Sequence, residues 1–299
     1  MSLFAWIRKL LGLSPKTTTT STTTHTTTTN TTTKQGGLAG VKRAICIGIN
    51  NYPGTQNDLR GCINDAKAWG DLFKSKYGFN EVQFVFDQNA TCKNVKNTMV
   101  ALIKKSVPGD EIVVTYSGHG SKVTDTNGDE DDRIDETWYL YDGNFIDDQL
   151  KAILDNVKEG VKLTIVSDSC HSGTVTRALL STLEGESVYA KPRYMPPKDS
   201  IEAAQIGAVT AERAIGFPEE GMNHILLSGA KSTEYSYDAY FDKPMGAMTY
   251  YATTILNQTP DITWKEFHKQ LRTKLPSGRY PQSPCLEGPD SLKNQKVFE

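Results

Sequence analysis

Short apolar runs alternate with amphipathic stretches along most of this chain, and that alternation restricts its fold more than any other feature. "RAICIGI" (43–49), a short apolar run of the buried kind, "EVQFVF" (81–86), "DEIVVTYSG" (110–118), "VKLTIVSDSC" (161–170) and "NHILLSG" (223–229) read as strands. Between and after them, "NDAKAWGDLFKSKYG" (64–78), "CKNVKNTMVALIKKS" (92–106), "DDQLKAILDNV" (147–157), "GAMTYYATTILN" (246–257) and "TWKEFHKQLRTKL" (263–275) read as helices. Strands that alternate with helices of this length predict an α/β fold with a mainly parallel central sheet sandwiched by helices. In such sheets ligands bind beyond the carboxyl ends of the strands.

The alternation begins at about residue 38 and runs to residue 299, which defines one folded domain. Ahead of it, residues 17–37 form a linker: threonine fills 14 of the 17 positions from Thr17 to Thr33. With no apolar alternation to bury, that tract is expected to be disordered. Residues 1–16, "MSLFAWIRKLLGLSPK", place Leu3, Phe4, Ile7, Leu10 and Leu11 near one helical face. They suit peripheral contact with a membrane or a partner, or else a frayed leader; the positive charges inside the apolar stretch argue against a secretory signal. A formal net charge of −2 lacks the basic surplus of a nucleic-acid binder. Five widely spaced cysteines without a CxxC pair argue against a disulfide framework or zinc cluster and place the protein in a reducing, cytoplasmic setting.

Two motifs fall at strand carboxyl ends: "TYSGHG" (115–120) and "SDSCHSG" (167–173). If the two strands are neighbours, His119 and Cys170 meet at one sheet edge as a base and a thiol nucleophile. Backbone N–H groups of Gly120 and Cys170 then face the oxyanion that develops on an attacked carbonyl. His171 is the other candidate base, but adjacent residues in an extended segment point opposite ways. Cys46 and Cys92 read as core or helix-face residues, and Cys285 as part of a Pro-rich tail. Asp168 raises a question: a carboxylate two positions before the nucleophile opposes thiolate formation.

"YSGHG", "DSCHSG", the 51-residue separation of His119 from Cys170, "LRGCINDA" (59–66) and "GDEDDRIDETWYLYD" (128–142) together resemble a metacaspase. The resemblance continues through "LLSGAKSTEYSYDA" (226–239), "GAMTY" (246–250) and "SPCLEG" (283–288). It implies a caspase-hemoglobinase fold with a large-subunit-like part at 41–180 and a small-subunit-like part at 222–299, in a monomer. It also implies a cysteine endopeptidase acting on protein or peptide substrates after Arg or Lys, with Asp168, Asp65, Cys62 and Ser117 lining the pocket for the basic side chain. Asp168 then has a function, since a carboxylate suits a guanidinium or ammonium and the arriving cation neutralises it. The alternatives are that Asp168 caps a turn and that Asp65 caps a helix. At the level of the whole chain they are a catalytically silent caspase-like scaffold and a calcium-responsive interaction module.

Seven acids and one arginine lie between Asp125 and Glu136. They miss an EF-hand loop because Glu130 stands where the sharp turn needs glycine. The resemblance implies a different calcium site, matched by Asp135, Asp147 and Asp148, while Arg177 occupies the position of a fourth carboxylate. That leaves two outcomes, weakened calcium activation or activity independent of calcium. Autocatalytic cleavage is expected after a basic residue between 174 and 222 (Arg177, Lys191, Arg193, Lys198 and Arg213 are the candidates) or near Lys34. Pro192 blocks cleavage after Lys191.

Overall fold

The computed structural model describes residues 40–124, 134–170, 190–196 and 222–299. The N-terminal segment, the threonine tract, the acidic loop at 125–133, His171, Arg177, Lys198 and Arg213 lie outside the described residues. In chain order the strands are β1 (Lys42–Gly48), β2 (Glu81–Phe86), β3 (Glu111–Ser117), β4 (His119–Thr124), β5 (Ile134–Leu140), β6 (Gly143–Ile146), β7 (Lys162–Asp168), β8 (Ala190–Pro192), β9 (Ile225–Ser228), β10 (Tyr237–Tyr240), β11 (Pro244–Gly246) and β12 (Cys285–Glu287). The helices are α1 (Cys62–Lys76), α2 (Cys92–Lys105), α3 (Asp147–Leu154), α4 (Ala247–Gln258), α5 (Trp264–Leu271) and α6 (Asp290–Lys293).

Six strands make the central sheet in the order β12-β9-β7-β3-β1-β2. All neighbours run parallel except β12, which is antiparallel to β9. Side chains alternate between faces along each strand, so one run feeds two cores. Ala44, Cys46, Val113 and Val166 pack beneath α1, α4 and α5, against Trp69, Phe73, Leu256 and Phe267. Ile45, Ile47, Val114 and Ile165 face the other way, against Met99 and Ile103 of α2 and Ile153 of α3. This is a mixed α/β sandwich with a mostly parallel sheet. Cys285 is not in a loose tail: it opens the antiparallel edge strand β12, paired with Ser228.

Two three-stranded sheets add to this plan, β4-β5-β6 and β11-β10-β8. Neither shows in the apolar pattern: β6, β8, β10 and β11 have only three or four residues, too few for a period to register, and β4 ("HGSKVT") and β5 ("IDETWYL") are longer but carry no continuous apolar run. Helix α1 starts two residues before its apolar face and takes Gly61 as N-cap, so Asp65 lies inside the first turn and does not cap it. Asp147 does not cap α3 either; Ile146 holds that position, and Asp147 Oδ1 accepts from Asp148 N at 3.0 Å. Helices α3 and α5 end three and four residues short of their amphipathic patterns, at Leu154 and Leu271.

Candidate active site

The site is built from the carboxyl edge of two adjacent central strands. β3 and β7 pair parallel with Ser117 opposite Asp168, so whatever follows each strand emerges at the same edge. After Ser117 the chain bends at Gly118 and His119 opens β4; after Asp168 it reaches Cys170. Both His119 and Cys170 are 1% exposed. Gly120 is required for this approach: a Cβ there would stand 1.8 Å from the Cys170 carbonyl oxygen.

The His119 ring is held from two directions. Its Nε2 lies 2.7 Å from the Asn57 carbonyl oxygen, and its face tilts against Tyr52, with ring centroids 4.8 Å apart. A carbonyl only accepts, so Nε2 carries the proton and Nδ1 holds the free lone pair. Nδ1 is buried and has no hydrogen-bond partner among the described residues. Burial drives the imidazole down to about 3, helped by the charges of Lys191 and Arg193, so the ring is a neutral base. Burial pushes the Cys170 thiol up; backbone hydrogen bonds from Ser236 and Arg193 and the Arg193 charge oppose this, and Asp168 raises it least. The thiol sulfur accepts from Ser236 N at 2.7 Å and lies 3.0 Å from Ser236 O.

Asp65 and Asp168 sit side by side in a buried pocket, with a basic side chain from the same chain between them. Arg193 is 0% exposed. Its Nη2 donates to Asp65 Oδ2 at 2.7 Å and Asp238 Oδ1 at 3.0 Å. Its Nη1 donates to Ser117 Oγ at 2.7 Å and the Asp168 carbonyl at 3.0 Å, and lies 3.3 Å from Asp168 Oδ1. Burying a guanidinium is favourable only where paired acids replace its water, and here three carboxylates do so. The acids are positioned in turn by their own donors. Gly246 N binds Asp65 Oδ1 at 2.8 Å, Thr249 N and Oγ1 bind Asp168 Oδ2 at 3.0 and 2.7 Å, and Arg60 N and Gly61 N bind Asp238 at 2.8 and 2.9 Å. Cys62 is buried as well, at the start of the helix that carries Asp65. Burial lifts the Asp65 carboxyl to about 6 against the lowering pull of Arg193.

The backbone of Arg193 is held as firmly as its side chain. Its carbonyl oxygen accepts from Gly120 N at 2.9 Å and Cys170 N at 3.2 Å, and its own N donates to Ser236 O at 3.0 Å. Upstream, β8 pairs antiparallel with β10, Lys191 opposite Asp238. Downstream, Met195 N donates to Gly120 O at 2.8 Å and Ser121 Oγ donates to Met195 O at 2.8 Å. The chain on both sides of the Arg193–Tyr194 bond therefore lies extended across the two paired motifs.

Three participants escaped the sequence reading. Asp238 looked like any acid in "YSYDA"; Gly246 lines the pocket, where a Cβ would meet Asp168 Oδ2 at 2.2 Å; and Asn57 acts through its backbone, which leaves no side-chain signal. Of the proposed metal ligands, Asp147 and Asp148 lie in the first turn of α3. Asp135 belongs to β5 two residues before Thr137, which pairs with Ile146, so the backbone carries its position to the same corner. Among the described residues no group of three or more metal-ligating side chains is assembled.

A family model described as "Metacaspase, peptidase C14 domain" matches residues 42–178. Metacaspase-1B of Aspergillus niger is 31% identical over 83% of this chain and 64% of its own length. Metacaspase-1 of Saccharomyces cerevisiae is 32% identical over 83% of this chain and 66% of its own length. The chain thus spans just under two thirds of the length of these two relatives. Metacaspase-1B of Aspergillus fumigatus is 31% identical over 87% of this chain and 72% of its length. The crystal structure of protein GSU0716 from Geobacter sulfurreducens superposes with a TM-score of 0.67 at 27% identity, covering 86% of this chain and 98% of that one. With its sheet order, its paired His119 and Cys170 motifs and relatives of this extent, the chain belongs to the metacaspase family.

Proposed function

We propose that this protein is a cysteine endopeptidase that cuts peptide bonds after Arg or Lys and that its first substrate is its own Arg193–Tyr194 bond. One observation carries the reading: Arg193 lies with its guanidinium among three acids and its carbonyl oxygen between the N–H groups of Gly120 and Cys170. His119 Nδ1 takes the thiol proton as the Cys170 sulfur attacks the carbonyl carbon. The negative charge that develops on oxygen rests on the two N–H groups. As the C–N bond breaks, the imidazolium returns its proton to the leaving amine, and a water activated by the same Nδ1 then releases the acyl group. A P1 aspartate would add a negative charge to three carboxylates and is rejected.

Turnover of a fluorogenic Arg peptide by the processed chain, absent in Cys170→Ala, is the test. Hydrolysis of an Asp peptide at a similar rate would sink the pocket assignment. A silent scaffold or a calcium-responsive module would give no turnover at all.

Calcium is part of the proposal. Carboxylates are hard oxygen donors suited to it, and Asp147, Asp148 and Asp135 would hold the ion at the start of α3. Activity titrated with calcium in wild type and Asp148→Asn decides: an unchanged midpoint removes the ion from the scheme.

A further inference from the structure

The turn Thr55–Asn57, between β1 and α1, supports the catalytic histidine but is itself weakly supported. Residues 53–56 are exposed, so little apolar burial holds them. The turn closes on two internal bonds, Asn57 N to Gly54 O at 3.4 Å and Asp58 N to Thr55 O at 3.1 Å. Behind it, Asp58 Oδ1 accepts from Tyr52 N at 2.9 Å. Three consecutive carbonyls leave this segment. The middle one, Asn57 O, holds His119 Nε2. The two flanking it, Gln56 O and Asp58 O, both accept from Lys191 Nζ, each at 2.9 Å.

Lys191 is two residues before Arg193. We infer that the backbone carbonyls of Gln56 and Asp58 form a cation subsite for the residue two positions before the cleaved one, and that filling it fixes the carbonyl that orients His119. This inference rests on the peptidase reading above. An ammonium has three donors and no acceptor, so it is suited to bridge two carbonyls. Joined there, the peptide units on either side of the Asn57–Asp58 unit cannot rotate independently, and the Asn57 oxygen between them stays in line with Nε2. That contact selects the tautomer with its lone pair on Nδ1. Asp58 and Asp238 supply the surrounding negative potential, and Arg60 opposes it. A cationic side chain at this position therefore acts on the chemical step as well as on binding. Asn57 is accordingly a positioning residue.

The experiment varies the substrate, since the groups that recognise it are backbone. The 299-residue chain, after processing, is given acetyl-Lys-Pro-Arg and acetyl-norleucine-Pro-Arg coumarin amides; norleucine keeps the aliphatic stem and removes the charge. The expected result is a kcat about tenfold lower for the norleucine peptide, the size of one charge-assisted hydrogen bond, with the smaller part of the change in KM. In the intact chain, Lys191→Met should slow the appearance of the fragment beginning at Tyr194, and Lys191→Arg should restore it. Equal kcat for the two peptides, or a difference confined to KM, overturns the coupling to His119 and leaves the peptidase reading intact. No turnover of either peptide overturns the peptidase reading and this inference with it.

Discussion

At the scale of single residues, the proposed activity should meet a pH limit set by the pocket acids. Burial raises the Asp65 carboxyl to about 6 with Arg193 in place, and the guanidinium is among the influences that lower it. A carboxyl with a raised pKa is neutral below that value and charged above it, so the pocket loses one of its attracting charges as pH falls through the raised value of Asp65. We expect kcat/KM for an Arg peptide to decline on that acid limb, and Asp65→Asn to lower the plateau and remove the limb. A pH profile of both proteins checks this; an unchanged limb in the variant would assign it elsewhere. Asp238 contributes a direct 3.0 Å contact to the guanidinium. Replacing it with Asn should raise KM for Arg peptides roughly tenfold while kcat changes less, since a lost charged hydrogen bond costs about 1.5–3 kcal/mol. Equal KM in steady-state kinetics would exclude it from the pocket.

At the scale of elements, the decisive contact is β8 against β10. This short pairing, with Arg193 N bonded to Ser236 O, lays the segment through the cleft as an added strand. An arginine already in the pocket excludes a second one, so the uncut chain should turn over peptides only after a lag. Arg193→Gln removes the charge and keeps the length. We expect it to show no fragment beginning at Tyr194 by intact-mass analysis and to hydrolyse Arg peptides without a lag. A persistent lag, or the same fragment, would show that this strand is not what fills the site.

At the scale of the whole molecule, the sheet and its two cores hold the site, and the far end of the chain takes part. Phe298 is 1% exposed and meets Trp69, Phe73, Tyr77, Phe79 and Trp264 edge-on, with ring centroids 5.0–6.2 Å apart. It ties α1 and α5 together beneath the sheet face that carries β7 and Cys170. Phe298→Ala should cost about 3–5 kcal/mol, the range for a large aromatic removed from a packed core. Denaturant unfolding of a Cys170→Ala background, which cannot process itself, measures it. A loss under 1 kcal/mol would mean that the C-terminal residues are not part of the core.

Local sequence carried the parts of this architecture that depend on local physics. The strands of the parallel central sheet and the helices between them show in the chain as apolar runs and amphipathic stretches, and parallel pairing then brings the strands' carboxyl ends to one edge. Ser117, His119, Asp168 and Cys170 are legible there because each sits at or just after a strand end. What lies beyond is decided by contacts between distant segments. Arg193 meets Asp65 across 128 residues and Asp238 across 45, and nothing in "KPRYM" singles it out among neighbouring basic residues. Gly246 lines the pocket only because α4 starts beside Asp65, and Asn57 holds His119 through an oxygen that every residue has. Residue types therefore determined the fold class and the candidate pair His119 and Cys170, whereas only the tertiary structure decided which charge fills the pocket and which backbone oxygen holds the His119 ring.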